Sequence, residues 1–203
     1  AQHQALFQTL ITDWRKCWKN PDMPFYFVQL ANYLQPSDLQ PESQWALLRE
    51  SQADALCLPH TGMVSNIDLG DAKDIHPKTK REVGRRMAAI ALNQTYGKHK
   101  TAFTAPVYER YTVEADGIHI HFATPQGSEP LVIEDNLPGF ILAGANRQWH
   151  VAKAKVLSGN EVVVSCQGVH FPVAVRYGWA DNPTCTLRTQ SGLHVAPFRT
   201  DRW

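Results

Sequence analysis

Cysteine is scarce in this chain of 203 residues, which has only four, at positions 17, 57, 166 and 185. Four scattered cysteines are too few for a fold that is held together by disulfides. The simplest interpretation is that they are buried free thiols, because cysteine often fills space in a protein core. Cys166 and Cys185 both lie in the C-terminal part, so a disulfide between them stays open. The cysteines therefore leave the cellular compartment undecided.

Long apolar runs and runs of one charge are also missing. No stretch approaches the roughly eighteen apolar residues of a membrane span, and the first residues show no basic-then-apolar signal pattern. Twenty basic and nineteen acidic residues give a net charge of +1, and there is no run rich in lysine and arginine. We therefore expect no nucleic-acid partner, no membrane partner and no cofactor, and we expect ligands that are neutral or small.

Residues 1–100 have the pattern of an α/β domain. Apolar residues that recur at three and four positions predict helices, and two compact apolar runs predict strands, the first of them buried on both faces as in a parallel sheet. The order helix, strand, helix, strand, loop, helix predicts the C-terminal part of a three-layer α/β/α domain. The predicted helices are 4–18, 42–54 and 79–96, and the predicted strands lie within Phe25–Tyr33 and Ala55–Met63.

Residues 101–203 change to a period of two. Gly117–Phe122 alternates cleanly, Glu161–Ser165 and Val173–Tyr177 are typical of strands, and glycine, asparagine and proline separate them. This pattern predicts a small antiparallel β-sandwich domain. We therefore expect an α/β protein in which a second, all-β domain follows the first.

The stretch from Asp68 to Pro77 is the strongest candidate for a site. It places three carboxylates, Asp68, Asp71 and Asp74, ahead of His76, between the second predicted strand and the third predicted helix. An imidazole can take and return a proton near neutral pH when an acceptor such as Asp74 fixes its tautomer. Ligands of α/β folds bind at the carboxyl ends of the strands, where this loop begins. A loop that only caps the helix is the alternative.

No serine accompanies His76 in a recognisable motif. The chain has eight serines, and none lies in a Gly-x-Ser-x-Gly elbow or a Gly-Asp-Ser loop. A serine hydrolase therefore cannot be assembled from the motifs of residues 1–203 alone.

Other residue groups have weaker ligand-like spacing. Asp68, Asp71 and Asp74 surround a glycine and would suit calcium, although no downstream glutamate completes a loop of the usual kind. His119 and His121 lie on one side of a strand and would suit zinc or copper, but their alternation favours a solvent-facing pair. Cys57 and His60 lack the two further ligands of a structural zinc site, so we expect no metal.

Trp149, Trp179 and Trp203 have two interpretations. Their rings would stack on a sugar if they lay at the surface, and they would fill a thin core if they were buried. The second interpretation is favoured, because aromatic rings dominate the cores of small β domains.

Several stretches follow one another in the order of a known family. They are Leu10–Arg15, Pro24–Ala31, Thr61–Met63, Asp68–Asp71, Asp74–Pro77, Ala174–Pro183 and Ala196–Thr200. In these segments the chain closely resembles the C-terminal part of the sialate O-acetylesterases, which are α/β hydrolases of the SGNH/GDSL superfamily.

The resemblance implies a serine esterase that removes acetyl groups from sugar hydroxyls, with His76 as general base and Asp74 as its orienting acid. The superfamily usually has its acid three positions before the histidine, where this chain has Lys73. Asp71 is therefore an alternative acid, and a backbone carbonyl is a third possibility. The family's Gly-Gln-Ser-Asn and Gln-Gly-Glu-Ser-Asn loops have no counterpart here. An upstream segment or a second chain is thus expected to supply the nucleophile and most of the oxyanion hole.

We accordingly expect part of a serine ester hydrolase that acts on acetylated sialic acid or a related glycan. An acetylxylan-type polysaccharide esterase and a non-catalytic glycan-binding fragment are the alternatives. The chain begins at Ala1 within helical periodicity, so we expect it to be a piece of a longer protein. The resemblance implies a secreted, periplasmic or lysosomal location.

Overall fold

The computed structural model describes residues 2–98 and 101–203. In these residues the helices come first and most of the strands follow. The helices are α1 (Gln2–Cys17), α2 (Gln44–Ala53) and α3 (Lys80–Gln94), with a 3₁₀ turn at Asp54–Cys57. The strands are β1 (Phe25–Val28), β2 (Thr61–Val64), β3 (Val107–Glu114), β4 (Gly117–Ala123), β5 (Phe140–Gly144), β6 (Trp149–Val151), β7 (Lys153–Ser158), β8 (Glu161–Ser165), β9 (Pro172–Tyr177) and β10 (Phe198–Arg199).

Strands β1 and β2 form a parallel pair with helices on both faces. On one face, Phe27 of β1 packs with Ile11 of α1 and Ala55 of the 3₁₀ turn. On the other face lies α3, so close that a Cβ at Gly62 would come within 2.7 Å of the Ile90 side chain. Only glycine permits this approach, because any other side chain would push α3 away from the sheet.

The two apolar runs of the first hundred residues contain shorter strands than the sequence predicts. Strand β1 ends at Val28, and Val28 is exposed, so the expectation of a strand buried on both faces is wrong. In the described residues β1 pairs with β2 alone, which leaves its other edge open. The run from Ala55 divides into the end of the 3₁₀ turn and β2, because His60, at φ 56°, turns the chain between them.

The antiparallel strands form two four-stranded sheets, ordered β10-β9-β5-β6 and β3-β4-β8-β7. Both sheets contribute to one hydrophobic core: Ile118, Ile120 and Phe122 come from β4, whereas Phe140 and Tyr177 come from β5 and β9. The Tyr177 hydroxyl is also satisfied inside this core, since it accepts a hydrogen bond from the Leu187 backbone N–H at 3.1 Å. The chain is therefore a mixed α/β protein with antiparallel sheets in its C-terminal half.

Arg49 connects the two halves of the chain. Its side chain is fully buried and donates to the carbonyls of Leu30, Ala31, Ala180 and Asp181 at 2.7–3.1 Å. Burial lowers the pKa of Arg49 to about 10, which still leaves the guanidinium charged at neutral pH. The four carbonyls satisfy most of its donors, so one side chain closes the junction between residues 30 and 180.

None of the helices in the described ranges combines the length and apolarity that a membrane span requires.

Candidate active site

The loop between β2 and α3 carries the predicted site and is anchored to the segment after β1. The Gly70 N–H donates to the Asn32 side-chain oxygen at 2.7 Å, and Tyr33 and Asp71 form a parallel bridge. A Cβ at Gly70 would overlap the Asn32 carbonyl oxygen. The loop can follow this path only because position 70 has no side chain.

Within this loop the structure brings Asp74 and His76 together. Asp74 Oδ1 lies 3.1 Å from Nδ1 of the His76 ring and also accepts the His76 backbone N–H at 2.9 Å. The His76 side chain is 80% exposed, so its second ring nitrogen is accessible from solvent. The catalytic role of both residues stays a prediction.

The Asp74 carboxylate is stabilised in its charged form. Its pKa is lowered, first by the backbone N–H of His76 and then by the hydrogen bond with the His76 ring. An ionised Asp74 can only accept, which assigns the ring hydrogen to Nδ1 and leaves the lone pair on Nε2. That is the tautomer a general base needs.

Asp71, the alternative acid, has other partners. It accepts the backbone N–H of Lys73 at 2.9 Å and pairs with the Lys78 ammonium at 3.0 Å. These two contacts, the backbone hydrogen bond first, lower the pKa of Asp71. The geometry therefore favours Asp74 over Asp71 as the residue that orients His76.

Asp68 is a structural residue rather than a metal ligand. It holds Arg86 through two hydrogen bonds of 2.8 and 2.6 Å, and the His194 ring lies 3.6 Å away. Burial lowers the pKa of His194, although the Asp68 charge opposes the shift. Because Asp68, Asp71 and Asp74 have three different partners, they do not converge as a ligand group within the described residues. In this arrangement the three side chains do not form the convergent group of carboxylates that calcium would need.

His119 and His121 do not share a ligand site, and the predicted solvent-facing pair is wrong for His119. His119 is only 6% exposed, and its two ring nitrogens lie 2.8 Å from Glu161 and 2.9 Å from Asp116. His121 instead contacts Thr112 at 3.2 Å. Strand β8 lies beside β4 and brings Glu161 over the ring, which the alternation within β4 alone does not reveal.

Among the described residues, one group has the spacing of metal ligands. It consists of His119, Glu114 and Asp116, whose ligand atoms lie within 4.8 Å of one another. A proton satisfies the same arrangement. Burial opposes a positive charge on the ring, but the hydrogen bonds to Glu161 and Asp116 outweigh it and raise the pKa of His119. We therefore interpret this group as a histidine whose protonated form is favoured by the carboxylates around it.

The cysteines are free thiols, and no disulfide joins Cys166 to Cys185. Cys185 is buried, and burial raises the pKa of its thiol to about 12, so it is inert. Cys17 and Cys57 are exposed, which contradicts the expectation that the thiols are buried. Cys57 and His60 have separate neighbours, Gln8 at 3.4 Å and Asp22 at 3.5 Å, and do not form a metal site.

The tryptophans surround arginines. The Arg176 guanidinium lies 4.2 Å from the centre of the Trp149 ring and 5.0 Å from that of Trp179, and Arg147 lies 4.9 Å from that of Trp203. Trp179 is buried as expected, whereas Trp203 is 41% exposed. Each of the three rings thus has a guanidinium over one of its faces. No local sequence pattern predicts this arrangement, because its members are far apart in the chain.

Comparison with known proteins identifies relatives for both halves of the chain. Residues 1–93 match the family model described as carbohydrate esterase, sialic acid-specific acetylesterase. The sialate O-acetylesterases of Mus musculus and Homo sapiens align over 97% of the chain, at 26% and 24% identity. The chain is similar to the sialate O-acetylesterases. The resemblance read from the sequence, and with it the likeness to an ester hydrolase, is confirmed.

A solved structure extends this relationship to the fold. The crystal structure of a carbohydrate acetylesterase from Xanthomonas citri superposes on the whole chain with a TM-score of 0.89 and 37% identity. The chain covers 46% of that structure's chain, and 40% and 42% of the mouse and human sialate O-acetylesterases. The matched region therefore corresponds to less than half of each relative.

Proposed function

We propose that this chain carries the base half of the active site of a serine ester hydrolase. Asp74 would hold Nδ1 of His76, and Nε2 would take the proton of a serine hydroxyl and return it to the departing sugar alcohol. The hydrogen bond of 3.1 Å between Asp74 and His76, on a loop at the carboxyl end of β2, is the observation that carries this proposal.

The nucleophile would come from an upstream segment or a second chain. In the described residues no hydrogen bond joins a serine to His76, although its ring is largely exposed and can meet a further group. Beyond the carboxyl ends of the strands, Oε1 of Gln29 and Oδ1 of Asn66 are buried and have no partner among the described residues. A buried acceptor without a donor costs about 1–3 kcal/mol. Donors from a neighbouring segment would remove this cost.

The substrate would be an O-acetylated sialic acid or a related acetylated glycan. The names of the mouse and human relatives support sialic acid, and the name of the Xanthomonas citri relative supports acetylated carbohydrate in general. Acetylxylan is therefore the second candidate substrate. Hydrolysis would proceed through an acetyl-serine intermediate that water then cleaves.

The finer architecture belongs to the same proposal. The helices on both faces of β1 and β2 support a three-layer SGNH-type domain over residues 1–100, and the two antiparallel sheets with a shared core support a β-sandwich over 101–203. A secreted, periplasmic or lysosomal location would bring such an enzyme to its glycans.

The test compares the 203-residue chain with the same chain joined to, or mixed with, a segment that carries the nucleophile serine. Acetate release is measured from p-nitrophenyl acetate, O-acetylated sialic acid and acetylxylan. In the active form, His76→Ala should lower kcat about 10³-fold or more, since the base of a triad is lost. His121→Ala is the matched control and should leave kcat unchanged. Full activity of the His76→Ala protein would refute the proposal, and glycan binding without turnover would favour a binding fragment.

A further inference from the structure

A cavity of about 520 Å³ lies beside the outer edge of β2, away from Asp74 and His76. Residues 61–65 line it together with α3, the end of α2 and the segments 103–108 and 193–199. Its volume lies within the usual range of ligand sites.

The first wall of the cavity is an open strand edge. The Phe25 N–H donates to the His60 carbonyl at 2.9 Å, and the Gln29 N–H donates to the Val64 carbonyl at 2.8 Å. Because backbone groups alternate in direction along a strand, Thr61, Met63 and Ser65 must direct theirs away from β1. In the described residues β2 has no second neighbour. The Ser65 carbonyl accepts a hydrogen bond from Arg86 at 2.9 Å, whereas the backbone groups of Thr61 and Met63 have no partner among the described residues.

The second wall is also extended chain with free backbone groups. The Val195 N–H donates to the Leu187 carbonyl, and the Leu193 carbonyl accepts the Thr189 N–H, both at 3.0 Å. By the same alternation, the backbone groups of His194 and Ala196 point away from Leu187 and Thr189. In the part of the chain that the structure describes, neither of these N–H groups donates to a protein acceptor.

Residues from the helices and the Ser65 hydroxyl complete the lining of the cavity. Ile90 and Gln94 of α3 line the cavity, as do Ala53 and Leu56 from the end of α2 and the 3₁₀ turn. The Ser65 hydroxyl is buried and has no partner among the described residues. The cavity thus combines apolar walls with two rows of unpaired backbone groups.

We propose that this cavity binds an extended peptide strand of another polypeptide, as long as the edge from Thr61 to Ser65. An extended peptide presents alternating backbone groups to both of its sides and could therefore pair with both rows, in the mode of β-strand addition. Alternate apolar side chains would face Ile90 and Leu56. Arg202 also lines the cavity, so a carboxylate at one end of the peptide would meet a positive charge there.

The test titrates the ¹⁵N-labelled 203-residue chain with the peptide acetyl-Val-Thr-Val-Thr-Asp. The amide signals of Met63 and His194 should shift together, and their hydrogen exchange should slow about tenfold at saturation. A peptide that is N-methylated at both threonines cannot donate from those positions. It should bind about tenfold more weakly or worse.

A protein variant provides the second arm. Ala196→Trp fills the cavity and should weaken binding about tenfold or more, whereas Ala115→Trp, on the exposed β3–β4 turn, should not. If Ala196→Trp does not fold, the pair of peptides decides alone. Equal binding of both peptides, shifts at other residues only, or no shift at about 1 mM peptide would overturn the proposal.

Discussion

Arg176 and Asp201 form a two-bond ion pair in the interior, with Nε–Oδ1 at 2.8 Å and Nη2–Oδ2 at 2.7 Å. The side chains are 5% and 0% exposed. The guanidinium also donates to the Pro41 carbonyl at 2.7 Å, so this pair joins β9, the C-terminal segment and the loop before α2. A charge buried this deeply depends on its partner.

Asp201→Asn should therefore destabilise the protein by about 3–5 kcal/mol, because it leaves the Arg176 charge buried and unpaired. Chemical denaturation of the variant and the parent chain measures the difference. Asp135→Asn is the control, since Asp135 meets Lys155 at 3.3 Å on the surface. An exposed pair of this kind contributes about 0–1 kcal/mol. Equal losses of unfolding free energy in the two variants would contradict the conclusion that the Arg176 charge depends on Asp201.

Asp74→Asn should lower kcat in the active form of the enzyme, because an amide can donate to Nδ1 and stabilise the wrong tautomer of His76. Since Asp74 is solvent-exposed, we expect a loss of about 10- to 10³-fold, below the 10⁴-fold seen for a buried triad acid. Asp71→Asn should change kcat less than threefold, roughly 0.6 kcal/mol. A larger loss in Asp71→Asn than in Asp74→Asn would make Asp71 the orienting acid.

Gly70→Ala should displace the loop that carries Asp74 and His76, because its Cβ would overlap the Asn32 carbonyl oxygen. We expect a loss of stability of about 1–3 kcal/mol and a lower kcat. Gly84→Ala is the matched control, since its Cβ would meet nothing within 4 Å on α3. That variant should be more stable by about 0.5–1 kcal/mol, from helix propensity alone. Thermal unfolding measures the change in stability, and acetate release measures the change in kcat.

Stability should decrease as the pH rises because of His119. Its pKa in the folded chain is raised, whereas an unfolded histidine titrates near about 6.5. The folded state therefore holds this proton more tightly, and the stabilisation is complete below about pH 6.5 and is lost as the pH passes the raised value. His119→Gln should flatten the curve of unfolding free energy against pH in this range, whereas His121→Gln should not. An unchanged curve in His119→Gln would show that the ring is not protonated.

Patterns within single elements were predicted well from the sequence. The periodic apolar residues of α1 and α3 marked both helices to within two residues, and the alternation in Glu161–Ser165 matched β8. These signals are local, since each depends on one element burying one face. The pairing of Asp74 with His76 was predictable for the same reason, because two positions in one loop suffice to form it.

Contacts between distant segments were not predicted. The burial of His119 depends on Glu161, forty-two residues away, and the engagement of Asp68 depends on Arg86 from α3. Single-sequence patterns contain no information on which strands become neighbours. The exposed thiols of Cys17 and Cys57 illustrate a different error. Cysteines are buried on average, but this tendency does not determine the burial of an individual cysteine.

The buried guanidinium of Arg49 makes the two halves of the chain mutually dependent. If residues 1–100 were produced without the rest, this charge would lose the Ala180 and Asp181 carbonyls, and the remaining half would expose the same carbonyls to water. The two halves should consequently unfold in one transition, whatever boundary their sheets suggest. Gene fusions that recombine the β-rich half with other catalytic domains would have to bring a compatible arginine with them.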